Sequence, residues 1–184
     1  MPTSVEVDDH KVLDVLRRIA ARFTPNGMRG AMAEIGEELA ASTKRRFATS
    51  TSPDGNRWPA LKPGTVLARL QKITGAYSSN SKRNVKGGIA GKLSGKGTDA
   101  AMGMKPLVDT GGLQRSIRYQ IIGGGAGVAI GTNRFAGEWE GGAAVHQFGS
   151  LDGRIPARPF LGLSQEDKRT VLDILDEMLQ SATR

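Results

Sequence analysis

The sequence predicts an α+β fold, with two N-terminal helices, a small, mostly antiparallel sheet in the C-terminal half, and a C-terminal amphipathic helix packed on that sheet. Three observations carry the prediction. Apolar residues recur at helical spacing near both ends of the chain. Two short β-branched runs flank a glycine cluster, Gly123-Gly124-Gly125 with Gly127, and read as a hairpin. At 184 residues the chain reads as a single domain able to bury a core of its own.

The first helix is expected over 8–23, where Val12, Leu13, Leu16, Ile19, Ala20 and Phe23 form one stripe. Thr24-Pro25-Asn26-Gly27 ends it. A second helix over 28–47 places Met28, Met32, Ile35, Leu39 and Phe47 on one side. Its closing run Lys44-Arg45-Arg46 suits the negative end of the helix dipole and needs no ligand to explain it. Both stripes read as packing surfaces, with the sharper alternative that part of one meets a neighbouring subunit.

Ser52-Pro53-Asp54-Gly55 has the residues of a tight turn, and Trp58 follows, held before Pro59. A short helix is expected over 65–73. From 74 to 103 the chain turns to Gly, Ser, Lys, Asn and Ala, a composition that buries little, and the stretch is expected to form a long basic loop within the domain. Asp109 and Thr110 are cap candidates for a helical turn over 111–116. Strands are expected over 117–122, 128–130 and 134–139. Residues 143–148 and the segment around Pro156 then complete the sheet. Ser164 opens the last helix, in which Val171, Leu172, Leu175, Met178 and Leu179 share a face.

Charge is concentrated rather than spread. The net charge is +8, and residues 62–105 hold nine Lys/Arg against the single acid Asp99, leaving seventeen of each sign elsewhere. The basic character therefore belongs to the excursion, where Lys82, Arg83, Lys86, Lys92 and Lys96 are the candidates for a DNA-facing or inter-subunit loop. A conventional nucleic-acid-reading domain does not fit, because the stretch has Tyr77 as its sole aromatic residue. With no cysteine there are neither disulfides nor thiolate metal sites. No apolar run approaches the roughly 20 residues of a membrane span, and the first residues lack a basic, apolar leader. The expectation is a soluble protein made in the cytoplasm.

Familiar catalytic patterns fail on inspection. Neither Gly91-Lys92 nor Gly95-Lys96 has the glycine that a phosphate-binding loop requires five residues before its Gly-Lys pair. With His10 and His146 as the two histidines, a histidine-based metal site would need several carboxylates to converge on them. His146, Ser150 and Asp152 lie too close in sequence for the geometry of a catalytic triad. Glu138 and Glu140 would share a strand face, but their flanking glycines favour a solvated loop. No catalytic residue, cofactor site, metal or small-molecule substrate is assigned.

The most informative stretch is 143–164, A-A-V-H-Q-F-G-S-L-D-G-R-I-P-A-R-P-F-L-G-L-S. Pro156 and Pro159 fix their own φ and push Ile155 and Arg158 towards extended backbone. The segment reads as chain laid along a sheet edge and pinned by Phe160. Arg158, on a stiff base, can offer its guanidinium to a carboxylate in the same chain or across a subunit boundary.

H-Q-F-G (146–149) followed by I-P-A-R-P-F-L-G-L-S (155–164) resembles the closing signature of the phage virion morphogenesis, or tail completion, family. S-P-D-G-N-R-W-P-A-L (52–61), L-V-D-T-G-G-L-Q-R-S-I (107–117) and I-G-T-N (130–133) resemble further blocks of that family in the right order. The resemblance runs from residue 47 to the C-terminus, except for 74–103, which reads as an insertion. It implies a structural, non-enzymatic subunit of the neck or upper tail. That subunit would complete the tail and stabilise head–tail joining as a connector or tail terminator, repeated in a hexameric ring with other neck and tail proteins. Localisation would be the virion, after assembly in the host cytoplasm, and the basic loop can face packaged DNA. Trp58, His146, Gln147, Arg158 and Phe160 are the candidates for subunit-interface or docking roles. The alternative reading is a nucleic-acid-binding accessory protein that works through its Lys/Arg-rich loop.

Overall fold

The computed structural model describes residues 9–78, 92–133 and 142–183. In chain order its helices are α1 (Asp9–Arg22), α2 (Pro25–Thr49), α3 (Pro63–Gln71), α4 (Gly95–Gly103), α5 (Gly112–Arg115), α6 (Gly142–Phe148) and α7 (Gln165–Thr183). Its strands are β1 (Arg118–Ile122) and β2 (Gly127–Gly131). The class is α+β, and the chain divides into two compact units. One takes its described residues from Met1–Thr43, Ile117–Thr132 and Leu161–Arg184, the other from Lys44–Ser116 and Asn133–Phe160.

In the first unit, Thr24 both ends α1 and starts α2. Its Oγ1 accepts from the Gly27 N–H at 3.2 Å, and its carbonyl accepts from Met28 N at 2.9 Å, while Pro25 supplies a first helical residue with no N–H to satisfy. Along α2 the buried positions Met32, Ile35, Gly36, Leu39, Ala40 and Thr43 recur every three or four residues, and Glu34, Glu37 and Glu38 stay exposed. Met32, Ile35 and Leu39 form the core with Ile174 of α7, and Val128 and Ile130 of β2 pack against it with Val171 and Leu175. The last helix therefore does cover the hairpin. Its start is a reciprocal cap, with Asp167 N donating to Ser164 Oγ (3.0 Å) and Ser164 N to Asp167 Oδ2 (2.8 Å). α1 packs on α7, yet Leu13, Leu16 and Phe23 remain 45%, 54% and 55% exposed, so much of the expected stripe is uncovered within this chain.

The hairpin pairs Arg118 with Gly131 and Ile122 with Gly127 in antiparallel register. Gly123, Gly124 and Gly125 turn the chain at φ of 60°, 70° and 132°, angles that explain why three glycines stand there.

Here the expected sheet needs correction. Among the described residues it has two strands. Residues 143–148 are helical, as α6, because Ala143 and Ala144 are strong helix formers and Gly149, at φ 85°, closes the turn with its N–H on Val145 O at 2.8 Å. The segment around Pro156 is neither helix nor strand and joins no ladder among the described residues. The strand expected over 134–139 lies outside the described residues.

The second unit begins with the last residues of α2. Its first turn holds Ser52 N on Asn56 O (2.8 Å) and Gly55 N on Ser52 O (3.0 Å), and Trp58 N then bonds Ser50 O at 2.8 Å. The stretch 74–103 is not one loop. Tyr77 and Leu93 form an antiparallel bridge, Ser78 N donates to Lys92 O at 3.0 Å, and residues 95–103 form α4. Ser94 makes this possible: its Oγ accepts from Gly97 N (3.0 Å) and donates to Gly75 O (2.6 Å). The short α5 starts after Gly111, at φ 72° and with no side chain to cap, and the expected Thr110 supplies the bond, its Oγ1 accepting from Gly112 N at 3.4 Å. Asp109 instead faces Arg69 and Lys72 at 3.5 Å and 3.4 Å.

Candidate functional site

The proline ribbon of the second unit is held by a clasp of aromatic rings and arginines. Phe47 is fully buried, with Trp58 edge-on and Phe160 tilted against it, both ring centroids 5.5 Å away. An extended segment cannot satisfy its own backbone, and here side chains replace the missing ladder. Trp58 Nε1 donates to Pro159 O at 2.8 Å, Arg46 Nη1 to Phe160 O at 3.0 Å, and Phe160 N donates to Gln147 Oε1 at 3.0 Å. Arg158 N bonds His146 O at 2.8 Å. The Arg158 guanidinium reaches the other way, with Nε donating to Pro59 O and Nη2 to Ala60 O, both at 2.9 Å.

All five residues expected to dock or meet neighbours thus come together, as the chain's own fastening. Trp58, Phe160 and Arg158 are buried, and His146 and Gln147 half-buried. Arg158 bonds neutral carbonyls rather than the expected carboxylate. Burial lowers its pKa first, and the neighbouring Arg69 lowers it further. Arg46 was missed in the sequence, where Lys44-Arg45-Arg46 reads as a solvated helix end. The signal lay in its spacing, since Arg46 falls on the same helical face as Leu39, Thr43 and Phe47. Of the basic-loop candidates, Lys82, Arg83 and Lys86 lie outside the described residues. Lys92 is exposed, and Lys96 donates to Thr74 O at 2.9 Å. Glu138 and Glu140 also lie outside.

A cleft of about 330 Å³ opens beside the clasp, between the start of α3, the turn before α5 and the ribbon. Lys62, Arg69, Arg154, Arg158 and His146 line it, with Asp109. Asp109 is shared by Arg69 and Lys72. Asp152 serves Arg154, at 2.9 Å, and lies in the field of Lys62. Arg158 has no carboxylate partner among the described residues. The His146 pKa is lowered by burial and then by the charge on Arg158, and its buried Nδ1 has no hydrogen-bond partner among the described residues.

The sequence cluster of His146, Ser150 and Asp152 does not form a relay. Ser150 Oγ donates to Asp152 Oδ1 at 2.6 Å and accepts from Ile155 N at 2.8 Å. Asp152 Oδ1 also accepts from Arg154 N at 3.0 Å. These bonds close the turn that leads into the ribbon, and they consume the hydroxyl a nucleophile would need. Among the described residues no three His, Asp or Glu side chains converge to hold a metal, and no helix is long and apolar enough to cross a membrane.

Arg46, Trp58, Gln147 and Arg158 thus fasten backbone within the second unit. The model of the phage virion morphogenesis family matches residues 7–81 and 91–180. The chain belongs to that family, as a structural morphogenesis protein of a phage particle that works with other virion proteins. It is also similar to the Mu-like prophage FluMu G protein 2 of Haemophilus influenzae, with 34% identity over 116 residues, covering 60% of this chain and 76% of that protein. No solved structure matches the chain. The family match spans both units and skips 82–90 alone within the stretch 74–103, so the segment departing from the family is shorter than the sequence suggests.

Proposed function

We propose that this chain is a non-enzymatic subunit of the phage neck or upper tail, one that completes the tail and stabilises head–tail joining as part of a hexameric ring. The observation that carries the reading is the family match across both units. The clasp agrees with it, because a ring subunit must present fixed surfaces, and a ribbon pinned by three rings and two arginines is rigid. The closed symmetry supplies repeated contacts with no chemistry required.

The experiment is deletion of the gene from a producing prophage, followed by electron microscopy of the lysate. Full heads and separate tails are expected, rejoined on adding purified protein. Normal joined particles in the deletion strain would overturn the reading. A nucleic-acid-binding role has one observation in its favour: the second unit carries seventeen basic residues against six acidic ones. That reading requires duplex binding whose affinity falls steeply with salt and depends on Lys82, Arg83 and Lys86.

A further inference from the structure

The cleft of the second unit has an excess of charge that the chain does not answer. Lys62, Arg69, Arg154 and Arg158 line it, four cations against the carboxylates of Asp109, in the lining, and Asp152, paired with Arg154, a surplus of two. Arg158 is 6% exposed, and its described bonds go to two neutral carbonyls through Nε and Nη2, so Nη1 has no described acceptor. A buried cation without a counter-ion is costly, and an anion entering the cleft would offset that cost.

The two units are charged oppositely. Across Met1–Thr43, Ile117–Thr132 and Leu161–Arg184 there are nine basic and twelve acidic residues, whereas the other unit has seventeen and six. On α7 of the acidic unit, Asp173, Asp176 and Glu177 are exposed, and none has an ion-pair partner among the described residues. Three carboxylates at i, i+3 and i+4 repel one another on a helix face. A cationic partner would relieve them.

We propose that the Lys62–Arg154–Arg158 cleft is a carboxylate-binding site that receives the Asp173–Glu177 face of α7 from a second copy of this chain. The inference rests on the ring reading and gives it a mechanism. A basic patch on one copy meeting a different, acidic patch on the next is a heterologous contact, the kind that closes into rings. Complementary charge fixes the register and speeds the encounter, and Arg158, anchored through Nε and Nη2, offers Nη1 as a fixed donor to one carboxylate oxygen.

The test is a charge swap read by sedimentation velocity at about 150 mM salt. Lys62→Glu/Arg154→Glu and Asp173→Arg/Glu177→Arg alter exposed side chains in separate chains, and each variant alone should associate at least tenfold more weakly than wild type. Mixed one to one, they should recover association to within about threefold, because an alternating assembly restores the sign at every contact. If the glutamate variant does not fold, as judged by circular dichroism, Lys62→Gln/Arg154→Gln replaces it, with a smaller expected loss.

Failure of the mixture to recover overturns the proposal, as does loss of duplex DNA binding in place of self-association. Variants that assemble as tightly as wild type overturn the cleft and leave the ring reading standing. A wild-type chain that stays monomeric and is missing from purified virions overturns both.

Discussion

His146 and Trp58 show what single residues contribute to the clasp. Burial and the Arg158 charge hold the His146 pKa below 6.5, its ordinary value. Above that value both the folded and the unfolded chain carry a neutral imidazole. As pH falls through it, the unfolded chain binds the proton first, so stability declines until the folded pKa is reached. Urea melts of the wild type should show this decline below pH 6.5, and His146→Gln should flatten it. Trp58→Phe keeps a ring against Phe47 but loses the Nε1 bond to Pro159 O, and about 1 kcal/mol of stability should go with it. Phe160→Ala removes a 1%-exposed ring and should cost about 3–5 kcal/mol by the same melts. If the Trp58 change proved the costlier, the bond rather than the packed ring would be the stronger fastening. Phe160 and Trp58 were legible in the sequence as anchors, because bulky rings beside prolines have few other fates. The partners of Arg158 were not, since nothing local distinguishes a guanidinium aimed at Pro59 O from one aimed at a carboxylate.

At the level of elements, what the sequence showed was periodicity, and what it hid was competition between local and long-range bonding. α1, α2, α7 and the β1–β2 hairpin follow from spacing and glycines. Residues 143–148 carry a short apolar run that suits strand or helix equally, and the deciding feature is the left-handed Gly149 after it. The Pro156 ribbon looks like a sheet edge because its backbone needs partners, yet the partners are Gln147, Trp58 and Arg46 side chains from distant parts of the chain. Gly36, inside α2, marks another such contact. A Cβ there would overlap the Tyr119 ring of β1, whose hydroxyl donates to Glu37 Oε1 at 3.3 Å. Gly36→Ala gains about 1 kcal/mol of helix propensity, but overpacking against an aromatic ring costs about 1–3 kcal/mol. The substitution should therefore lower the melting temperature. A higher value would mean that β1 shifts freely away from α2.

For the whole molecule, the apparent neutrality outside 62–105 is a cancellation between an acidic unit and a basic one, visible only once the fold assigns each segment to its unit. The family match adds a second division, since it passes over 82–90 and resumes at 91. The chain on either side of that gap is paired: Tyr77 bridges Leu93, and Ser78 N donates to Lys92 O at 3.0 Å. Two antiparallel residues so placed need only a two-residue turn between them, and Asn-Gly supplies the positive φ angles such a turn requires. Replacing residues 79–91 with Asn-Gly should therefore leave the melting temperature within a few degrees of wild type, because loop-closure entropy changes slowly with length. The same change removes Lys82, Arg83 and Lys86, three of the nine cations in 62–105. Duplex DNA retention measured against salt should then fall with a shallower slope, while oligomer size stays as in the wild type. Loss of the oligomer would instead give these residues a part in subunit contact, and an unfolded product would mean that the Tyr77–Leu93 pairing depends on the residues removed.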